Sequence, residues 1–136
     1  MSALIRAAFA TIARELDPPP SALRVTADDL RVHLATGGGA VHGRDGCILW
    51  VASEGVLYLS RLSVAPERRG EGIGTALLAH AEAEARRMGL ARIQLEVRLA
   101  LESNRRLFAG AGFIEGARHA HPGYAEPTYV EAYKPL

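Results

Sequence analysis

Three glycines at alternate positions, Gly70, Gly72 and Gly74, stand between an apolar run and an alanine-rich segment, and they constrain this chain more than any other feature. The run from Val56 to Val64 reads as a strand, and Ala65-Pro66-Glu67 breaks it. A helix is expected from about Gly72 to Met88, with Ile73, Leu77, Ala81 and Met88, and Leu78 and Ala85 beside them, on its buried side. Glycine lets the backbone come close to another molecule, and the first helical turn offers N–H groups with no partner inside the helix. Those donors, the positive end of the helix dipole and the flanking Arg68 and Arg69 suit a phosphate. Two other readings stand beside it: a glycine-softened helix start with no ligand, and a dinucleotide turn of the G-x-G-x-x-G kind. The dinucleotide turn needs its third glycine one position later, directly behind its strand and among repeated βαβ units. Here five residues separate Val64 from Gly70, and the chain supplies a single such unit.

The flanking segments set the class of fold. Leu4, Ile5, Ala8, Phe9, Ile12 and Leu16 repeat at helical spacing, and Pro18-Pro19-Pro20 ends that helix in a stiff connector. Thr26-Ala27-Asp28-Asp29 caps a second helix carrying Leu30, Val32, His33 and Leu34, which Gly37-Gly38-Gly39 ends. Short strands are expected at Ala40 to His42 and Cys47 to Ala52, joined by Gly43-Arg44-Asp45-Gly46. Ser53-Glu54-Gly55 turns the chain into the Val56 strand. Gly89 stops the long helix, and Ile93 to Val97 returns as a strand parallel to the first. A shorter helix from about Glu102 to Ala109 ends at Gly110-Ala111-Gly112. Two final antiparallel strands, Phe113 to Ala120 and Thr128 to Tyr133, close the list. The expectation is one domain over residues 1–136, of α/β (α+β) class, with a mixed central sheet and helices on both faces.

Composition excludes more than it selects. A formal net charge of +1 gives no footprint for nucleic acid. Cys47 is the sole cysteine, so neither a disulfide framework nor a cysteine metal cluster is available, and no metal is expected. Nor does an 18-residue apolar run or a secretory leader core appear, so no membrane partner is expected and a cytoplasmic location is the default.

The residues Val64-Ala65-Pro66-Glu67-Arg68-Arg69-Gly70-Glu71-Gly72-Ile73-Gly74-Thr75-Ala76-Leu77-Leu78 resemble motif A of the GNAT superfamily of N-acetyltransferases. Its core is Arg or Gln, two residues, Gly, one residue, then Gly or Ala, and Arg69, Gly72 and Gly74 hold those places. The order of elements matches the same fold from its first helix onward, so the resemblance spans nearly the whole chain. It implies acetyl-CoA as co-substrate, with the pyrophosphate held by the backbone of Arg69, Gly70, Glu71, Gly72, Ile73, Gly74 and Thr75. It also implies that Leu62, Ser63 and Val64 pair their backbone with the pantetheine arm. A bulge in that strand usually splays it from its parallel neighbour, and Ser63 between Leu62 and Val64 is compatible with one. Leu95-Glu96-Val97-Arg98, Asn104 and Phe108-Ala109-Gly110-Ala111-Gly112-Phe113 extend the likeness. Asn104 and Phe108 would then touch the cofactor.

By the same resemblance Glu96 stands where several members, ribosomal-protein alanine acetyltransferases among them, place the general base. An amine acceptor, small molecule or peptide, is protonated at neutral pH and must lose a proton before attacking a thioester. A strand-end carboxylate paired with Arg92 or Arg98 is the alternative for Glu96. The family often has tyrosine at the Phe108 position to protonate the departing thiolate, which phenylalanine cannot do. Tyr124 is the candidate acid in its place, with His119 and His121 on the same segment. The implied activity is transfer of an acetyl group to an amine by direct attack; the alternative is a non-catalytic acyl-CoA-binding or sensor module. Arg61 faces either the acceptor pocket or solvent, Cys47 reads as a buried small hydrophobe, and His33, His42 and His80 as structural or exposed. GNAT domains usually open with a strand before the first helix, whereas this sequence starts almost directly in Ser2-Ala3-Leu4-Ile5. Either the strand is absent or the start is placed late, and a missing edge strand would leave unpaired backbone groups that favour a homodimer.

Overall fold

The computed structural model describes residues 1–10, 18 and 26–136 of the chain. Ile12, Leu16, Pro19 and Pro20, parts of the expected first helix and connector, lie outside the described residues. In chain order the elements are α1 (Ser2–Ala10), α2 (Ala27–Thr36), β1 (Gly38–His42), β2 (Gly46–Ser53) and β3 (Val56–Val64). After a short 3-10 turn at Pro66–Arg68 come α3 (Ile73–Arg87), β4 (Arg92–Arg98), α4 (Glu102–Gly110), β5 (Ile114–His119) and β6 (Tyr129–Pro135). The strands form one six-stranded sheet in the order β1-β2-β3-β4-β6-β5, with β3 and β4 parallel and every other pair antiparallel.

Local chemistry explains the boundaries. Thr26 and Asp29 form a reciprocal capping box at the start of α2, with bonds of 2.9 and 3.2 Å. Gly37 caps α2 at its end, but Gly38 and Gly39 join β1 instead of ending the helix. A Cβ at Gly38 would stand 2.4 Å from the Trp50 indole nitrogen, so the missing side chain is what lets Trp50 lie across that strand. Gly89 and Gly112, at φ +72° and +96°, end α3 and α4 through six-to-one bonds from Leu90 N–H to Ala85 O and from Phe113 N–H to Phe108 O.

The alternation of β2 shows how the layers form. Ile48 and Trp50 point into a core with Leu57, Leu59, Leu77, Ala81, Leu95, Phe108 and Val130, beneath α3 and α4. Cys47 and Leu49 point the other way, into a smaller core with Ile5 of α1 and Leu30 of α2. Helices therefore cover both faces, as the sequence leads one to expect. Among the described residues of α2 only Leu30 reaches that core; Val32 and Leu34 are exposed, and so is Met88 just past the end of α3, where the buried side no longer has a layer to face.

Candidate active site

The cleft is made by a break in the sheet. Strands β3 and β4 pair only at Val56–Arg92, Leu57–Ile93 and Tyr58–Gln94, and from Leu59 and Leu95 onward they separate. The cause lies on the far side of β3. Between the pairs Cys47–Ser63 and Leu49–Ser60, β2 advances two residues while β3 advances three. That extra residue is a bulge, and Arg61, at φ +53°, is the non-glycine residue that bears it. It also reverses the alternation: Leu57 and Leu59 face the large core before it, Leu62 and Val64 after it. The bulge that the resemblance implies is therefore present, centred on Arg61. Arg61 is half-buried and lines the cleft. Burial lowers its pKa, and the charge of Asp29 offsets part of that shift.

The resulting V holds a cavity of about 980 Å³. Leu62 and Val64 of β3 line it, as do Arg69, Gly70, Gly72, Ile73, Gly74 and Thr75 of the turn. Asn104 and Phe108 come from α4 and Glu96 from β4, so the structure gathers these separate stretches of sequence around one space. Three expected residues stand outside it. Ser63 is buried behind the wall and donates its hydroxyl to Arg61 O at 3.0 Å. Glu71 turns its carboxylate to Arg68 at 2.8 Å. Tyr124 is not among the lining side chains; its ring lies 6.3 Å from that of His121.

The turn offers backbone donors. Gly70 and Gly72 both sit at φ +83°, and nothing lies within 4 Å of where a Cβ would stand at either. Glycine is thus required there by the left-handed conformation and by open access, not by neighbouring protein atoms. The first intrahelical bond of α3 runs from Ala76 N–H to Gly72 O, so the N–H groups of Ile73, Gly74 and Thr75 precede the ladder. No acidic residue stands in that first turn. A phosphate group fits this cradle by geometry and by sign of charge.

The two arginines of the turn have a different use from the one their position suggests. Arg68 donates to Glu71 and to Asp45, each at 2.8 Å, and these two carboxylates raise its pKa. Its charge is largely answered within the protein. Arg69 sends Nη2 to Ala8 O at 2.7 Å and so fastens the end of α1 to the turn. Arg98 makes a matching bond from Nη1 to Pro18 O, also 2.7 Å. Neither bond carries any local sequence signal, because each joins residues far apart in the chain.

Glu96 is exposed at the open part of the V, and among the described residues it makes no ion pair. Arg98 is turned to Pro18, and Arg92 lies over the Tyr133 ring at 5.6 Å, so the pairing alternative for Glu96 is not realised. Phe108 is buried, with its ring 5.9 Å from Phe113 in an edge-on contact. Cys47 is fully buried, and burial pushes its thiol pKa up. His33 bonds the carbonyls of Gly38 and Trp50, a structural role, while His42 and His80 are exposed. Among the described residues no group of three metal-ligating side chains forms, and no helix is long and apolar enough to cross a membrane.

A mixed sheet split between parallel strands, with a glycine-lined helix N-terminus at the mouth of the split, is the arrangement that the resemblance to the GNAT fold implies. The family model for the acetyltransferase (GNAT) family matches residues 5–113, and the chain belongs to that family and is an acetyltransferase by descent. No curated protein sequence matches it. Among solved structures it is similar to a GNAT-family protein from Desulfovibrio desulfuricans, with 21% identity, a TM-score of 0.74, and coverage of 98% of this chain and 91% of that one. It is also similar to the ribosomal-protein-S18-alanine N-acetyltransferase of Escherichia coli, at 20% identity, TM-score 0.69, 96% and 86% coverage. A Bacillus subtilis acetyltransferase in complex with CoA matches at 17% identity, TM-score 0.67, 82% and 84% coverage. At these identities the likeness concerns the fold.

Proposed function

We propose that the protein transfers an acetyl group from acetyl-CoA to a primary amine, of a small molecule or a peptide, by direct attack of the nitrogen on the thioester. The observation that carries this is the V between β3 and β4, lined at one end by the glycine turn and at the other by an unpaired carboxylate. In this reading the N–H groups of Gly70 to Thr75 hold the pyrophosphate, and the open edge of β3 at Leu62 to Val64 pairs with the pantetheine arm. Asn104 and Phe108 pack against it from α4. Glu96 accepts a proton from the acceptor ammonium, directly or through water, and frees the nitrogen lone pair. Phe108 has no hydroxyl, so the thiolate leaves without an acid from that position.

Glu96→Gln keeps the shape of the site and removes the base. It should lower kcat by about a hundredfold or more, the usual range for a positioned proton acceptor, with acetyl-CoA affinity unchanged in calorimetry. Unchanged turnover would remove Glu96 from the mechanism.

A further inference from the structure

The loop between β5 and β6 holds a histidine in a setting that the reading above leaves unused. The backbone N–H of His121 donates to Thr128 Oγ1 at 3.1 Å, and its ring Nδ1 shares a short hydrogen bond with the same oxygen. Its ring meets that of Tyr129 at 4.9 Å, nearly edge-on, and that of Tyr124 at 6.3 Å. Contacts with two rings and a bond at Nδ1 fix the imidazole and leave Nε2 as the nitrogen that can exchange a proton elsewhere.

The loop is anchored to the strand that bears Glu96. Thr128 O accepts from Leu99 N–H at 3.0 Å, and Thr128 N–H donates to His119 O at 2.8 Å. In the β4–β6 ladder Arg98 lies opposite Tyr129 and Glu96 opposite Glu131. Directly opposed residues share a face, so these four side chains project together, away from Val97 and Val130 in the core. His121 packs on Tyr129 and is thus on the face of Glu96. Among the described residues, the ionisable groups around it are Glu96 and Arg98 of β4, Tyr129 and Glu131 of β6, His119 of β5 and Tyr124 of the loop. Burial lowers the His121 pKa, Arg98 lowers it further, and Glu96 raises it against them. Glu96 lines the cavity and His121 does not.

We infer that His121, held in register by Thr128, carries the acceptor's proton onward from Glu96 to solvent. This rests on Glu96 acting as the base. The amine enters as an ammonium; one proton passes to Glu96 and from it, through water, to Nε2 of His121. The nitrogen lone pair then forms the bond to the thioester carbonyl carbon. The C–S bond breaks with its electron pair on sulfur, and the second N–H proton goes to the thiolate, giving amide and CoA thiol. His121 releases its proton to bulk water, so no further reactant is consumed. A neutral imidazole suits this task because it gains and loses a proton near neutral pH. His121 acts through Glu96 and is a positioning residue.

Two measurements on the full chain test this. In the first, the His121 ring is titrated by NMR in the wild type and in Glu96→Gln. Loss of the neighbouring negative charge should lower the His121 pKa measurably. An unmoved titration would mean the two groups are not in contact and would overturn the inference, whatever the activity. In the second, thiol release from acetyl-CoA is followed against pH with the best of an N-terminal alanine peptide, a lysine peptide, spermidine and tryptamine. His121→Gln should lower kcat about tenfold at pH 7 with both KM values unchanged, and should remove the limb by which kcat falls at acid pH. Added imidazole should restore turnover to His121→Ala. A His121→Gln enzyme with the wild-type pH profile and rate overturns the inference while leaving the acetyltransferase reading intact. If none of the amines is acetylated, that reading fails and the NMR titration alone judges the contact.

Discussion

At Gly72 the backbone sits at φ +83° beside open space, whereas Gly74 is an ordinary helical position whose added Cβ would meet Leu107 Cδ2 at 3.4 Å. The two glycines, alike in sequence, therefore differ in what they tolerate. Gly74→Ala should fold and bind acetyl-CoA, which accords with the family's acceptance of Gly or Ala at that place. Gly72→Ala should lose about 1–2 kcal/mol of stability from the left-handed conformation and bind acetyl-CoA much more weakly, because the methyl projects where the ligand approaches. Thermal unfolding with and without acetyl-CoA separates the two effects. At this scale the glycine spacing was legible because it reflects a local backbone need. The partners of Arg68, Arg69 and Arg98 were not, since they are carboxylates and carbonyls brought close only by the fold.

Among the elements, helices and strands could be read from periodicity, and their ends from glycines and caps. Thr26→Ala should therefore cost about 1 kcal/mol, measured by denaturant midpoint, since it removes one half of the capping box and leaves Asp29 N–H without its acceptor. The bulge at Arg61 is an element-level feature that pattern alone could only allow. Leu62-Ser63-Val64 alternates as a regular strand would, and the slip shows only in how β3 pairs with β2. Gly38 and Gly39 mislead in the opposite sense. They look like a terminator, but they sit in β1, where Trp50 takes the space that a Gly38 side chain would need and Ile48 O and the Leu49 side chain take that of Gly39.

Across the whole molecule, carboxylates join elements distant in sequence and so set the response to acid. Glu82 of α3 is bonded to Lys134 of β6 at 3.0 Å and to Arg86 at 3.1 Å, and chiefly through Lys134 its pKa is held below the usual range. Arg105 does the same for Glu115, joining α4 to β5. A depressed folded-state pKa means these pairs stabilise the fold above the unfolded carboxylate pKa, about 4.3, and that the contribution is lost as pH falls through the lower folded value. Stability should then be level from pH 7 to about 5 and decline below it, with a smaller decline in Glu82→Gln; urea midpoints across that range would show it. The order of elements and the family likeness made the architecture legible from sequence, but the far wall of the cleft was not, because Glu96 and Ala8 and Phe9 of α1 meet only in three dimensions. Catalysis at the V is the central function proposed for the molecule. The most direct test is CoA thiol release from acetyl-CoA over a panel of amine acceptors. Amine-dependent release by the wild type, abolished in Glu96→Gln although acetyl-CoA still binds, is the result expected; tight acetyl-CoA binding with no release for any amine would contradict it and identify a binding module instead.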